Sequence, residues 1–240
     1  MKIDDYLAMG LFGAGHVDGE GRYRFARLPV LLGASRREQA LAGRAEWSEA
    51  PRGWFAGPAS DLEALADWLP SVIAPSYFVA QATAPCWQCG ATTPVFALAV
   101  PAGHLARYDD FPDDSAAGVM ALPWEVAEAG SFVSDLSGMA GSVRQVLAQH
   151  CPAYHVDYSG TAGSHYLMNH CAHCAAKQGD FYLHYEPGAA FFPTTAEEAA
   201  RITLCGVQAP LLVQGSASIT SDDLLQDCTI GPSIVPGAGA

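Results

Sequence analysis

The sequence predicts an α+β protein: a small N-terminal module followed by a larger domain of short strands around a cysteine-built centre. Three observations predict it. Two stretches with helix-capping signals flank a tryptophan-rich turn before residue 71. Apolar runs of strand length dominate after residue 75. Four of the seven cysteines form two CxxC pairs separated by a long insertion.

The module is expected over residues 22–71. Phe25–Leu32 reads as a strand, and Ser35-Arg36-Arg37-Glu38 has the spacing of a capping box opening a helix that ends near Gly43, a left-handed C-cap. Trp47 and Trp54 flank a Pro-Arg-Gly turn, the pattern of a hairpin. A second capping box, Ser60-Asp61-Leu62-Glu63, opens a helix with Leu62, Leu65, Ala66 and Leu69 on one face, closed by Pro70.

The larger domain is expected over residues 76–230. Tyr77–Ala80 and Val95–Val100 read as strands on either side of the first CxxC, Asp109–Asp114 as an acidic loop, and Leu122–Gly130 as a connector. Gly141–His150 reads as a helix with Val143, Val146 and Leu147 on one side. Tyr154–Tyr158, His165–Met168 and Phe181–Tyr185 are strand-like stretches around the second CxxC. A helix capped by Thr194 and Thr195 reaches about Ile202, and Leu211–Val213 and Asp222–Leu225 add a last strand and helix. Residues 231–240, rich in Pro, Gly and Ala, are expected to be a flexible tail.

Half of the 240 residues are hydrophobic and only 15% are charged, which provides for a sizeable buried core. A net charge of −13 disfavours broad contact with phosphate backbones, which needs clustered Lys and Arg. The densest basic group is Arg22, Arg24, Arg27, Arg36, Arg37 and Arg44. Met1–Gly15 carries Asp4 and Asp5 and lacks the apolar stretch of a signal peptide. No apolar run reaches the ~20 residues that span a bilayer. Paired CxxC turns in a chain with an odd number of cysteines fit a reducing, cytoplasmic setting and metal ligation better than a disulfide framework.

Cys86-Trp87-Gln88-Cys89-Gly90 and Cys171-Ala172-His173-Cys174-Ala175 carry the chemistry. In a CxxC turn two sulfurs converge, and backbone amides can donate to them. Two such knuckles facing each other make a tetrahedral sulfur site, the arrangement of structural zinc. Loop-closure entropy grows slowly with length, so the insertion between Gly90 and His170 does not forbid one shared site. Four thiolates leave no open position for water or substrate, so the ion is expected to be structural. The competing readings are two surface CxxC pairs or a reversible dithiol, although neither pair has the βαβ setting of thioredoxin-type motifs. His170 and His173 bracket Cys171 as alternative ligands, and Lys177 is the nearest cation to offset the charge of the site.

Other patterns are weaker. Gly13-Ala14-Gly15 does not continue as GxGxxG. Cys151 and His155 have the residue types of a nucleophile–base pair, but no third orienting group is evident and Pro152 constrains the turn; Cys205 and Cys228 read as buried small residues.

Two resemblances add to this. Leu32-Gly33-Ala34, Trp47, Trp54, Asp61-Leu62 and Trp68-Leu69-Pro70 resemble a small domain of unknown function found beside plasmid-type primase and antirestriction modules, with Ser48 where that family favours Asp. Cys86-Trp87-Gln88-Cys89-Gly90, Thr93-Pro94-Val95, Asn169-His170-Cys171-Ala172-His173-Cys174 and Gln178-Gly179-Asp180-Phe181 resemble uncharacterised bacterial zinc-ribbon-like proteins. The second resemblance implies metal binding through paired knuckles and names no substrate.

The expectation is a zinc-binding protein with a structural site of Cys86, Cys89, Cys171 and Cys174 in a zinc-ribbon-containing domain. It would act as an interaction module for a protein or nucleic-acid-associated partner, through an exposed patch at Trp54, Phe55 or Phe191-Phe192. No complete catalytic motif is present. The alternative is a hydrolase-like or other enzyme using a pocket of His155, His165 and His184, drawn from the six of eight histidines that fall between His150 and His184.

Overall fold

The computed structural model describes residues 2–107, 115–217 and 224–237. Its order is α1 (Ile3–Leu7), β1 (Gly15–Val17), β2 (Tyr23–Phe25), β3 (Leu28–Val30), α2 (Arg37–Ala42), β4 (Glu46–Glu49), β5 (Arg52–Ala56), α3 (Leu62–Leu65), β6 (Val72–Ala74), β7 (Tyr77–Pro85), β8 (Thr92–Val100) and β9 (Leu105–Ala106). Then follow β10 (Glu125–Val126), β11 (Ser131–Met139), α4 (Gly141–His150), β12 (Tyr154–Ser159), β13 (Ser164–His170), β14 (Lys177–Gln178), α5 (Ala196–Ala199), β15 (Thr203–Val207), β16 (Leu211–Ala217) and β17 (Thr229–Ile230). The class is mixed α+β. Among the described residues no helix is long and apolar enough to cross a membrane.

A nine-stranded sheet, ordered β10-β9-β6-β16-β11-β8-β7-β15-β17, organises the molecule. All its pairings are antiparallel except β15 with β17. The uninterrupted apolar run of β8 follows from burial on both faces. Phe96, Leu98 and Val100 enter one core with Val143, Val146 and Leu147 of α4. Val95, Ala97 and Ala99 enter the other, with Leu183, Phe191 and Ile202. Next to β8, β11 carries no strand pattern in the sequence, where Ser, Asp and Gly interrupt the apolar residues.

A separate three-stranded sheet, β3-β5-β4, and the pair β1-β2 lie in the N-terminal part. Their core of Phe25, Leu28, Trp54, Leu62 and Leu65 also takes in Tyr6 and Phe12 before residue 22 and Ile73, Leu105 and Trp124 beyond residue 71. The expected strand Phe25–Leu32 is two short strands instead. Trp47 and Trp54 pair across the β4–β5 hairpin, ring centroids 5.2 Å apart. Its turn holds a cis Ala50–Pro51 bond.

Helix α2 lacks the side-chain cap expected of Ser35, and Gly43 is not left-handed, with φ −84°; Arg44 takes the positive φ, 53°. Glycine at 43 is needed for another reason: a Cβ there would meet Leu65 side-chain atoms at 2.4 Å. In α3 the cap is Asp61, which accepts from the Ala64 amide, while Ser60 donates to Arg44 O. Thr195 caps α5 as expected. Phe181–Tyr185, expected as a strand, is one π-helical turn. Asp109–Asp114 lies outside the described residues, and of the helix expected at Asp222–Leu225 the described part is a 3₁₀ turn, Leu224–Asp227. The expected tail is tied at its start, where Gly231 and Ile234 amides donate to Leu204 and Gly206 carbonyls.

Candidate metal centre

Both CxxC segments close β-hairpins, and they do so with the same turn. Pro85 pairs with Thr92 to frame residues 86–91, and His170 with Lys177 to frame residues 171–176. Cys86 N donates to Ala91 O and Cys171 N to Ala176 O, each at 2.9 Å. Gly90 N and Ala175 N then fold back onto Cys86 O and Cys171 O, again at 2.9 Å. That fold-back needs a left-handed residue in each turn, supplied by Gly90 (φ 72°) and Ala175 (φ 59°).

The four sulfurs meet. Cys86 Sγ is 3.6 Å from Cys174 Sγ, Cys89 Sγ is 3.8 Å from Cys171 Sγ, and all four lie within 4.8 Å of one another. Sulfurs at about 2.3 Å from one tetrahedral ion would be separated by about 3.8 Å. Two of the separations match that value and the others stay within 4.8 Å, so these four residues could hold a metal ion. Cys86 and Cys171 are buried, Cys89 and Cys174 exposed.

Polar donors converge on the sulfurs. Backbone amides of Cys89 and Gln88 lower the Cys86 thiol to about 6, against the opposing effect of burial. At Cys171 burial raises the thiol, but the His173 and Cys174 amides outweigh it and the net shift is downward. The Ala176 amide favours ionisation of Cys174, yet burial and the neighbouring sulfurs push that thiol up to about 12. Gln178 Nε2 donates to Cys86 Sγ at 3.4 Å.

The insertion is bridged by contacts other than sulfur. Asn169, fully buried, accepts from Phe96 N at 2.7 Å and donates to Phe96 O at 2.8 Å, joining β13 to β8. Ala172 N donates to Thr93 Oγ1, His173 Nε2 lies 3.1 Å from Thr92 O, and Trp87 Nε1 donates to Lys177 O. These contacts hold the knuckles opposite each other.

The histidines and Lys177 turn elsewhere. His170 Nδ1 and Nε2 face Ala153 O and Asp157 Oδ2, leaving no ring nitrogen for the sulfur site. Lys177 Nζ pairs with Asp157 and Tyr158 O rather than with the thiolates, and with His170 holds Asp157 down to about 2. The proposed His155, His165 and His184 pocket is not formed. In the β12–β13 register His155 faces Met168 and Tyr158 faces His165, which puts His155 and His165 on opposite faces of the ribbon. His155 stacks on His170 at 3.9 Å, and His184 is half-buried beside Phe191, desolvation pushing its imidazole down to about 3. Cys151 is no nucleophile, because burial pushes its thiol up to about 12.

The aromatic patch also differs from expectation. Trp54, Phe55 and Phe191 are buried; among the described residues the exposed rings are Trp87, Tyr158, Phe181, Tyr182, Tyr185 and Phe192. A cavity of about 400 Å³ lies between Trp87, Tyr158, Tyr166, Lys177 and Tyr182. It shares Tyr166 and Tyr182 with a second cavity of about 670 Å³ that includes Asp135, Asp180, Phe181 and Tyr185. Of the residues around this second cavity, the sequence singles out Asp180 and Phe181 in a resemblance and Phe181–Tyr185 as an expected strand, whereas no motif or capping pattern contains Asp135.

Two of the six N-terminal arginines are paired with acids. Arg22 and Arg24 pair with Asp18, Arg22 also with Glu20, and Arg27 lies over the Phe55 ring.

Fold and site together define a mixed α+β protein with a metal-competent four-cysteine centre joining two β-hairpins. Comparison of the chain with family models, curated proteins and solved structures finds no match.

Proposed function

We propose that the chain is a zinc-ribbon-like interaction module in which Cys86, Cys89, Cys171 and Cys174 hold one structural Zn²⁺, and that the adjacent aromatic face receives a protein partner. The observation that carries the reading is the meeting of four sulfurs at tetrahedral spacing, two turns of the same geometry apart in sequence and opposite in space. All-cysteine ligation favours zinc over hard cations, which take oxygen ligands. With four protein ligands the ion stays closed to substrate, so its contribution is to position the hairpins and the rings beside them. The divergent histidines give no support to the enzymatic alternative. The paired arginines and the −13 net charge favour a protein partner over nucleic acid.

Metal content of protein purified under reducing conditions tests this. The wild type is expected to carry about one zinc per chain, and Cys171→Ser to lose most of it. Folded, fully reduced wild type that takes up no zinc on titration would end the proposal.

A further inference from the structure

We infer that the Asp135–Asp180 cavity is a recognition site for the side chain of a lysine on the protein partner. The inference rests on the interaction reading above and names the chemistry that the aromatic face recognises.

Local backbone irregularities converge here. The pairing of β11 with β16 shifts register between Ser134 and Gly138, and Asp135 inside that shift takes φ 51°. Such bulges re-aim side chains. The Asp135 amide donates to Asp180 Oδ2 at 2.8 Å, while the Asp135 carboxylate accepts from the Tyr185 hydroxyl. The π-helical turn of Phe181–Tyr185 then presents three rings to the cavity, Phe181 60%, Tyr182 66% and Tyr185 47% exposed.

Charge and chemistry select the occupant. The cavity wall contains two carboxyl groups and no Lys, Arg or His. Asp180 is 1% exposed, and its Oδ1 has no hydrogen-bond partner. An ammonium ion would offer a donor to the unpartnered Asp180 oxygen and a countercharge to Asp135, and its positive charge is attracted to ring faces. Only two carboxyls face the cavity, and its other side-chain oxygens are neutral hydroxyls such as those of Ser137, Ser159 and Thr161, a poor set for a divalent cation that takes six or more oxygens. The apolar stem of lysine suits the rings, and the continuation of the cavity towards Trp87 leaves room for the neighbouring residues of a peptide. Desolvation holds the Asp180 carboxyl up to about 7; a bound cation would favour its ionised form.

Calorimetric titration of the zinc-loaded full chain tests the inference, with acetyl-Gly-Lys-Gly-amide as probe against its norleucine counterpart, n-butylammonium and CaCl₂. The lysine peptide is expected to bind about tenfold or more tightly than the norleucine peptide, and more tightly than n-butylammonium. Asp135→Asn, an exchange that tolerates positive φ, should weaken it about tenfold, and Phe181→Ala about threefold. Equal binding of lysine and norleucine peptides, equal binding of n-butylammonium, or calcium binding without peptide binding would each overturn it. Zinc content of the same samples separates the two claims. Peptide silence at full zinc loading sinks only this inference, whereas missing zinc sinks the reading beneath it.

Discussion

Asp180 shows how one buried side chain couples local structure to pH. Burial raises its carboxyl from an ordinary 3.8 to about 7, the Asp135 amide opposes that shift, and the Asp135 charge adds to it. The other titratable groups near it are phenols: Tyr154, buried with an unpartnered hydroxyl, and Tyr166 and Tyr185, all raised and neutral in this range. An unfolded chain therefore ionises Asp180 near pH 4 while the folded chain keeps the proton until about pH 7. Unfolding releases a proton between those values, so this group's effect on stability is nil in acid and increasingly unfavourable as pH rises through the window. Asp180→Asn removes the titration while keeping an acceptor for the Asp135 amide. Its stability relative to wild type is expected to improve by up to about 4 kcal/mol between pH 4 and pH 8, measured by urea unfolding. An advantage that does not grow with pH would show that the fold ionises Asp180 without penalty.

At the scale of elements, the two hairpins are joined by polar contacts as well as by sulfur. Asn169 satisfies both backbone groups of Phe96 at a position with no water access, so Asn169→Ala leaves a buried N–H and a buried C=O unpartnered. The expected loss is about 2–5 kcal/mol, with zinc affinity falling because the knuckles are no longer held opposite each other. Calorimetric melting with and without zinc checks both effects; an unchanged zinc affinity would assign all prealignment to the sulfurs. Elements governed by local rules were legible in the sequence: α4 shows its apolar stripe, α5 its N-terminal cap, α3 its start to within one residue, with Asp61 in the capping role expected of Ser60, and the CxxC turns their ligands. Elements governed by distant contacts were not. Strand β11 is buried on both faces over Ser131–Ser134, so alternation does not mark it there, and the Asp and Gly at its bulge read as loop residues. Phe181–Tyr185 has strand-forming residues, but only Leu183 is fully buried, with His184 half-buried beside Phe191, and the chain coils to expose the other rings. Asn169 could be quoted from a motif, yet its partner is 73 residues away and no spacing points to it.

Across the whole molecule, apolar burial is distributed unevenly, and this decides what the metal holds. The nine-stranded sheet is covered on both faces by large clusters, one including α4 and the other Leu183, Phe191 and Ile202. Around the sulfurs the cluster shrinks to Cys86, Cys171 and Ala176. Zinc-linked folding energy in small domains amounts to about 10 kcal/mol or more because apolar burial alone cannot fold them. Here the sheet has its own core, so removing the ion should release the knuckles and leave the sheet standing. Regions with few apolar contacts open first in native-state exchange. Hydrogen exchange on chelator-treated, reduced protein is therefore expected to lose protection in residues 86–91 and 164–178 while residues 95–100, 131–139 and 211–217 remain slow. The π-helical turn follows the second knuckle by only a short segment, so residues 180–185 should loosen with it and the aromatic face should lose its shape. Global loss of protection would instead mean that sheet and knuckles form one cooperative unit, with zinc as part of its core.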